Sequence, residues 1–439
     1  MTPHQPATLE ETDGAAAGAP LSREALRDVL TTALRAGQIM VENGANTARV
    51  EETVHRVGTA LGAAWMEVYA TPTGIVASAV SGGEHRTRIQ RITAAGVDLS
   101  KIAAVLDVSR RAAAGELDRE ATRDELERIA HRPRVYGPLA TTAAVALACG
   151  CFAVLFGGGA WELLVALLVS ALSHPLRLLL LRARVGPLLA AGVTATFASS
   201  LALLLAAWLP ALAPAVQRYA PLLPPPTPDR AITGAASVVL LVPGVVMVSS
   251  IADLFRGDTI SGVARATTAM MTIGAIASGT WAALLLTGAQ VDVAPATQPN
   301  LPLALGMALI GAWGFAVLFD VPRRALLPAA LVGAAAYGVR VATLGAGLPA
   351  EAAIFAAGLA IGALAETLAR LMRLPTMIFT IPGFIPLVPG VLAFVTMLQL
   401  VNGSYEPGVA SLVRTALLTA ALAVGLGTVG ALARVGRRT

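Results

Sequence analysis

Charge is scarce in this chain. Only 13% of its 439 residues are Asp, Glu, Lys or Arg, against 56% hydrophobic, and the mean hydropathy is +0.70. That balance excludes a single water-soluble globule and indicates a polytopic membrane protein. Lysine is scarcer still. Lys101 is the only one, and the arginines gather beside apolar segments, where they set topology. The formal net charge of +5 therefore does not point to nucleic acid. The two cysteines, Cys149 and Cys151, are separated only by Gly150 in an apolar run. They are too close for an ordinary disulfide, have no nearby His to make a metal site, and are read as small packing residues. A G-x4-G-K-[ST] phosphate loop is missing, which argues against ATP-driven transport by this chain, and no cofactor or metal is expected. The first 20 residues are polar, with no basic region leading into an apolar core, so no signal peptide is expected.

What is present begins with a soluble stretch. Residues 1–20 are expected to form a disordered tail and residues 21–135 a small cytoplasmic α/β or α+β domain. Ser22 can cap a helix to about Glu42, ended by Asn43-Gly44, and Asn46 or Thr47 can cap a second. Met66 to Val80 reads as a strand pair or bent strand interrupted at Pro72 to Gly74, and Thr87 to Ile92 as a further strand. Asp98 or Ser100 starts another helix, and Thr122 with Glu125 resembles a capping box for a short one ending at His131. Glu51 and His55 are i,i+4 neighbours, half of a metal signature, but no third ligand follows at a recognisable spacing. A charged helix face accounts for them.

The remainder divides into ten apolar segments, near 137–157, 160–181, 187–209, 233–252 and 265–288, then 301–319, 325–344, 350–369, 374–400 and 409–433. His174-Pro175 and Arg177 interrupt the second, leaving its boundary open. The arginine distribution favours a cytoplasmic N-terminus. Two segments carry breaks. IPGFIPLVPG (Ile381 to Gly390) holds three prolines and two glycines, and VLLVPGVVMVSS (Val239 to Ser250) is a weaker copy. Proline removes a backbone donor and clashes one turn back, so neither is expected to be an uninterrupted helix.

The copies stay in register. Pro243-Gly244 aligns with Pro389-Gly390 at an offset of 146 residues, and at that offset Leu254, Gly257, Gly262, Val263 and Ala264 match Leu400, Gly403, Gly408, Val409 and Ala410. The fold class expected is therefore a polytopic α-helical membrane protein of about ten helices. It consists of two inverted five-helix repeats, residues 136–290 and 291–439, after the small soluble domain. An odd number of spans per repeat turns the second copy upside down, which is how secondary transporters build alternating access.

Several residues follow as candidates. A substrate with ammonium and carboxylate ends could be held by helix ends and unwound carbonyls at Pro243, Gly244, Pro386, Pro389 and Gly390, with Ser249, Ser250 and Thr380 nearby. Thr396 is a further hydroxyl there, and helix packing is the plainer account of such hydroxyls. Acidic groups inside a membrane are costly, so Asp253, Asp258 and Glu366 are candidates for proton coupling. Ordinary pairing, Asp253 with Arg256 and Glu366 with Arg370, competes with that role. His174, the only histidine of the membrane region, is a candidate for gating or proton transfer, or simply marks a helix end. A channel, or a membrane-embedded enzyme, are the competing classes. The first gives no reason for paired breaks, and the second lacks a convergent catalytic set.

Four motifs, in order, resemble the threonine/serine exporters of bacteria: NGANTARVE (Asn43 to Glu51), YATPTGI (Tyr69 to Ile75), DLFRGDTISGVAR (Asp253 to Arg265) and IPGFIPLVPG. The resemblance runs from about residue 30 almost to the end. It implies efflux of L-threonine and L-serine across the inner membrane, driven by the proton gradient. The partners it implies are a small amino-acid substrate, the lipid bilayer and the proton gradient, with both termini cytoplasmic and a homo-oligomer left open. It supplies no binding residues.

Overall fold

A computed structural model of the chain describes residues 20–93, 96–219, 224–291, 299–388 and 390–435. The expected tail over residues 1–20 falls outside them up to residue 19, as does Pro389. The described chain forms two compact units. The first runs to Gly96 and includes Ala104–Arg132; the second holds Val97–Ala103 and the chain from Pro133 onward.

In the first unit, α1 (Arg23–Glu42) and α2 (Thr47–Ala60) cover one face of a three-stranded antiparallel sheet, β1 (Trp65–Thr71), β2 (Gly74–Ser81) and β3 (Glu84–Arg91), in order β1-β2-β3. Ser22 Oγ accepts from the Ala25 amide and Asn46 Oδ1 from that of Arg49, capping the helices where two of the orphaned first-turn donors lie. Leu26, Leu30 and Leu34 recur every fourth residue and meet Val50, Val54 and Val57 of α2 and Ile75 of β2 in a buried core. The β2–β3 turn needs two consecutive positive φ angles, and Gly82 and Gly83 (φ 56° and 84°) supply them. Two more helices follow, α3 (Leu99–Ala113) and α4 (Arg119–His131). The cap of α4 is Asp118, which accepts from the Ala121 amide. The Thr122–Glu125 capping box is thus corrected: Thr122 lies inside the helix, and its hydroxyl donates to the Asp118 carbonyl.

The second unit is helical. Its first half holds α5 (Pro138–Leu155), α6 (Ala160–Arg182), α7 (Pro187–Trp208), a short α8 (Ala213–Tyr219), α9 (Arg230–Val238), α10 (Gly244–Phe255) and α11 (Thr259–Thr287). Its second half holds α12 (Leu301–Leu318), α13 (Leu326–Gly345), α14 (Ala350–Met372), α15 (Met377–Phe384), α16 (Gly390–Val401) and α17 (Tyr405–Val435). Among the described residues, eight helices are long and apolar enough to cross a membrane, and a ninth if the bent pair Arg230–Leu241 and Gly244–Phe255 counts as one span. The ninth expected segment, 374–400, is instead two short helices on either side of its break. His174-Pro175 does not interrupt the second segment, because α6 runs through Pro175 unbroken. In an apolar helix packed on neighbours, the lost bond is tolerated.

The two halves pack alike. α7 lies against α11 as α14 lies against α17; α5 and α6 pair as α12 and α13 do; α9 leans on α6 and α7 as α15 does on α13 and α14. The halves join through α5 against α12, and through α10 with α17 and α11 with α16. Small residues allow the closest crossings. A Cβ on Gly279 would collide with the Gly192 carbonyl of α7, and one on Gly425, 146 residues on, would lie 2.5 Å from the Phe355 carbonyl of α14.

Gly425→Leu is therefore expected to lower the melting temperature, since overpacking costs about 1–3 kcal/mol. Gly427→Leu, where a Cβ meets nothing within 4 Å, is expected to leave it unchanged. Thermal unfolding of the two purified variants checks this; equal midpoints would contradict close packing at α14–α17.

Candidate functional site at two broken helices

Each half interrupts its fourth apolar segment in the same way. In the first, α9 tightens into a 3-10 turn at Val239–Leu241, Val242 is extended (φ −61°, ψ 123°), Pro243 follows, and α10 starts at Gly244, bent by 63° from the preceding helix. In the second, α15 tightens at Ile385–Leu387, Val388 is extended (φ −61°, ψ 129°), and α16 starts at Gly390. The Val242 and Val388 amides donate to the Val239 and Ile385 carbonyls, each at 3.2 Å. Pro386 is buried within the second 3-10 turn, whereas Pro382 sits inside α15 without breaking it.

The breaks face each other. A Cβ built on Gly244 would lie 3.1 and 3.2 Å from the two γ-methyls of Val388. A Cβ there would press on the Val388 methyls more closely than is usual, so glycine suits the start of α10 this near the opposite break. Backbone groups released at such a break cannot turn to lipid, so they are left for protein or for a ligand. α10 starts here without a side-chain cap.

The hydroxyl candidates are held by backbone. Ser250 Oγ donates across to the Gly262 carbonyl of α11 at 2.8 Å, and Thr380 Oγ1 to the Thr376 carbonyl one turn back at 3.0 Å. Thr396 likewise bonds the Leu392 carbonyl of its own helix. Ser249 is half-buried beside Ser250.

The ionisable candidates occupy three separate places: Asp253 with Asp258, Glu366, and His174. Asp253, fully buried at the end of α10, accepts from Arg256 Nη2 at 3.1 Å, and Arg265 Nε of α11 lies 3.1 Å from its other oxygen. Asp258 precedes α11 without capping it through its side chain, while its amide donates to the Asp253 carbonyl. Glu366 accepts from Arg370 Nε at 3.1 Å and from Thr376 Oγ1 at 3.3 Å. His174 is buried in α6, with Nδ1 2.9 Å from Thr142 Oγ1 of α5. The pairings at i,i+3 and i,i+4 were readable from spacing. Arg265 was not singled out, although it closes the DLFRGDTISGVAR motif and stands one helix away from its partner.

In the first unit, Glu51 Oε1 accepts from the Ala70 amide and His55 Nδ1 lies 2.6 Å from the Met66 carbonyl. Both tie α2 to β1. No cluster of three metal-ligating side chains occurs among the described residues. A polar cleft of about 320 Å³ lies between α1, β3 and α4, lined by Arg27, Arg35, Arg88, Arg123 and Glu127 among others. There the Arg35 guanidinium grips the Glu127 carboxylate through two hydrogen bonds and holds it below the usual carboxylate range.

Paired breaks within a duplicated bundle, with long leucines on the outer faces of α6 and α11, define a polytopic membrane carrier. Residues 31–287 match the family model described as "Putative threonine/serine exporter", and residues 304–432 match the one described as "Threonine/Serine exporter, ThrE". The chain belongs to the threonine/serine exporter family, and its role is that of an exporter-type secondary transporter rather than an enzyme. It is also similar to a Klebsiella aerogenes protein named "Probable succinate transporter subunit YjjP". The two are 28% identical over 239 residues, 54% of this chain and 86% of the relative. No solved structure matches.

A further carboxylate fastens the two halves. Asp320, just after α12 and 1% exposed, accepts from the Val135 amide (3.0 and 3.1 Å) and that of Tyr136 (3.4 Å) at the entry to α5, and the Tyr136 hydroxyl donates to the Val321 carbonyl. Burial pushes the Asp320 carboxyl above the usual range, outweighing the Val135 amide, which acts the other way. Burial, then the Asp320 charge, pushes the Tyr136 phenol up to about 12. A carboxyl raised on folding binds protons better in the native state, so its contribution to stability grows as pH falls through the folded pKa towards the unfolded value, about 3.9. On mild acidification from neutral pH, the wild type is expected to gain melting temperature relative to Asp320→Asn. A difference that stays constant, or moves the other way, would contradict this.

Proposed function

We propose that the chain exports L-threonine and L-serine across the cytoplasmic membrane by proton antiport, with the two facing breaks as one shared substrate site. The observation that carries this is the approach of Gly244 to Val388. It draws together two helix starts, which attract a carboxylate, and two 3-10 ends, whose carbonyls suit an ammonium. Pro243, Gly244, Pro386, Pro389 and Gly390 form its frame, with Ser249, Ser250 and Thr380 beside it. The halves are inverted repeats of five spans, each broken segment counting as one. Both chain ends lie in the cytoplasm, with Gly257 on that side and Gly403 outside. The name of the Klebsiella relative supports a second reading, a carrier of small dicarboxylates, in which the helix starts hold two carboxylates.

Outward flux of L-threonine, L-serine and succinate from cells carrying the chain, with and without an uncoupler, separates these readings. Amino-acid efflux abolished by the uncoupler is expected; succinate as sole cargo favours the second reading, and flux indifferent to the gradient contradicts antiport. Cysteines at positions 257 and 403 are expected to label from opposite sides, and labelling from one side would remove the inverted repeat. Pro243→Ala with Gly244→Ala lets the first broken segment close its ladder, with helix preference rising by about 3 and 1 kcal/mol. Efflux per folded molecule is nevertheless expected to fall at least roughly tenfold as the exposed backbone groups are withdrawn. Normal flux per molecule would take that break out of the site.

A further inference from the structure

The offset of 146 residues that pairs the breaks also pairs Asp253, Arg256 and Arg265 with Gln399, Asn402 and Ser411. Both sets sit at the same junction, α10 with α11 and α16 with α17. The frames match. A Cβ on Gly262 would lie 2.6 Å from the Leu254 side chain, and one on Gly408 would lie 2.7 Å from that of Leu400. The contacting side chains differ, charged in one half and neutral in the other. In the first half Arg265 Nε stands 3.1 Å from the buried Asp253 carboxylate; in the second, Ser411 Oγ donates to Gln399 Oε1 at 2.8 Å.

Stability does not require the charged version, since the neutral one holds an equivalent junction and buried ion pairs seldom outdo neutral replacements. The two versions behave differently when the junction loosens. Gln399 and Ser411 part at the loss of one neutral hydrogen bond. Parting Asp253 from Arg265 leaves a fully buried carboxylate with the partly exposed Arg256 beside it, a net loss of countercharge that a proton offsets.

We infer that Asp253 takes up a proton when its contact with Arg265 opens and gives it up when the contact re-forms, and that Gln399–Ser411 is the proton-independent counterpart. Coupling is thereby confined to the first half of the chain. The step is a plain proton exchange. Water supplies the proton to an Asp253 oxygen as the guanidinium withdraws, and the returning cation expels it to water. The structure holds the paired arrangement. Around Asp253 the charged groups are Arg256 on its own helix, Asp258 in the following turn and Arg265 on α11. α16 has none, and α17, packed on α10, carries Glu406 and Arg414, both exposed, and Arg434 next to its last residue. The inference rests on the antiport reading above and names the residue that performs the coupling.

The test gives the first junction the chemistry of the second. The full-length Asp253→Gln, Arg265→Ser variant is reconstituted in proteoliposomes beside the parent, and exchange of labelled L-serine is compared with net flux driven by an imposed pH gradient. The variant is expected to keep exchange within about threefold and to lose gradient-driven flux by roughly tenfold or more. Retained gradient-driven flux, or loss of exchange in folded protein, would overturn the inference. A second measurement needs no substrate. In a chain with both native cysteines replaced by alanine, alkylation of Ser261→Cys, a buried position, is followed against pH and normalised to the exposed Thr259→Cys. Acidification is expected to raise the ratio in the parent background and not in the double variant. A ratio independent of pH in both would overturn the inference whatever the cargo proves to be, whereas failure of L-serine to move in the parent would count against the substrate reading alone.

Discussion

Every peptide group in an apolar interior needs a partner, and a helix supplies one for nearly all of them. At Val239–Gly244 and Ile385–Gly390 this chain gives up that supply twice, with the same turn and nearly the same dihedral angles. Much of the second unit exists to make those two places tolerable. α6 and α7 flank the first broken segment, and α13 and α14 the second. The buried side chains of Leu240, Leu241, Ile385 and Leu387 close each turn against its neighbours. Each break also presents a face to the other, where Gly244 meets Val388.

Duplication explains the likeness of the halves, and departures from it locate where they have been set to different tasks. Glycines 262 and 408, and 279 and 425, preserve the same close crossings. A Cβ would meet a leucine side chain at the first pair and a backbone carbonyl at the second. At Asp253 and Gln399 the frame is the same and the charge is not, so this difference reflects chemistry rather than packing. A carrier with two unlike junctions can admit an ion at one and do without it at the other.

Much of this was legible in the sequence, for identifiable reasons. Ser22 and Asn46 announced their helices because a cap is a local interaction, and the breaks announced themselves because Pro-Gly has few alternatives in an apolar run. The cap of α4 was misplaced because Asp118 and Thr122 both satisfy the local rule, and only the backbone course decides between them. Pro175 was over-read as an interruption for a related reason: spacing cannot report the neighbours against which α6 continues through it. Asp253 with Arg256 was visible at i,i+3, while Arg265, Asp320 with Val135, and Gly244 against Val388 join distant parts of the chain. Such contacts carry no local signature. The internal repeat was the one long-range signal available.

The central claim is that the facing breaks are where substrate sits. It is tested most directly at Val388, the residue that touches Gly244 across the gap. In a chain whose native cysteines are replaced by alanine, Val388→Cys is alkylated in membranes with and without saturating L-threonine, L-serine or succinate. The account predicts that the transported compound slows alkylation and the others do not. An alkylation rate unchanged by any compound the same protein carries would place the substrate elsewhere and contradict it.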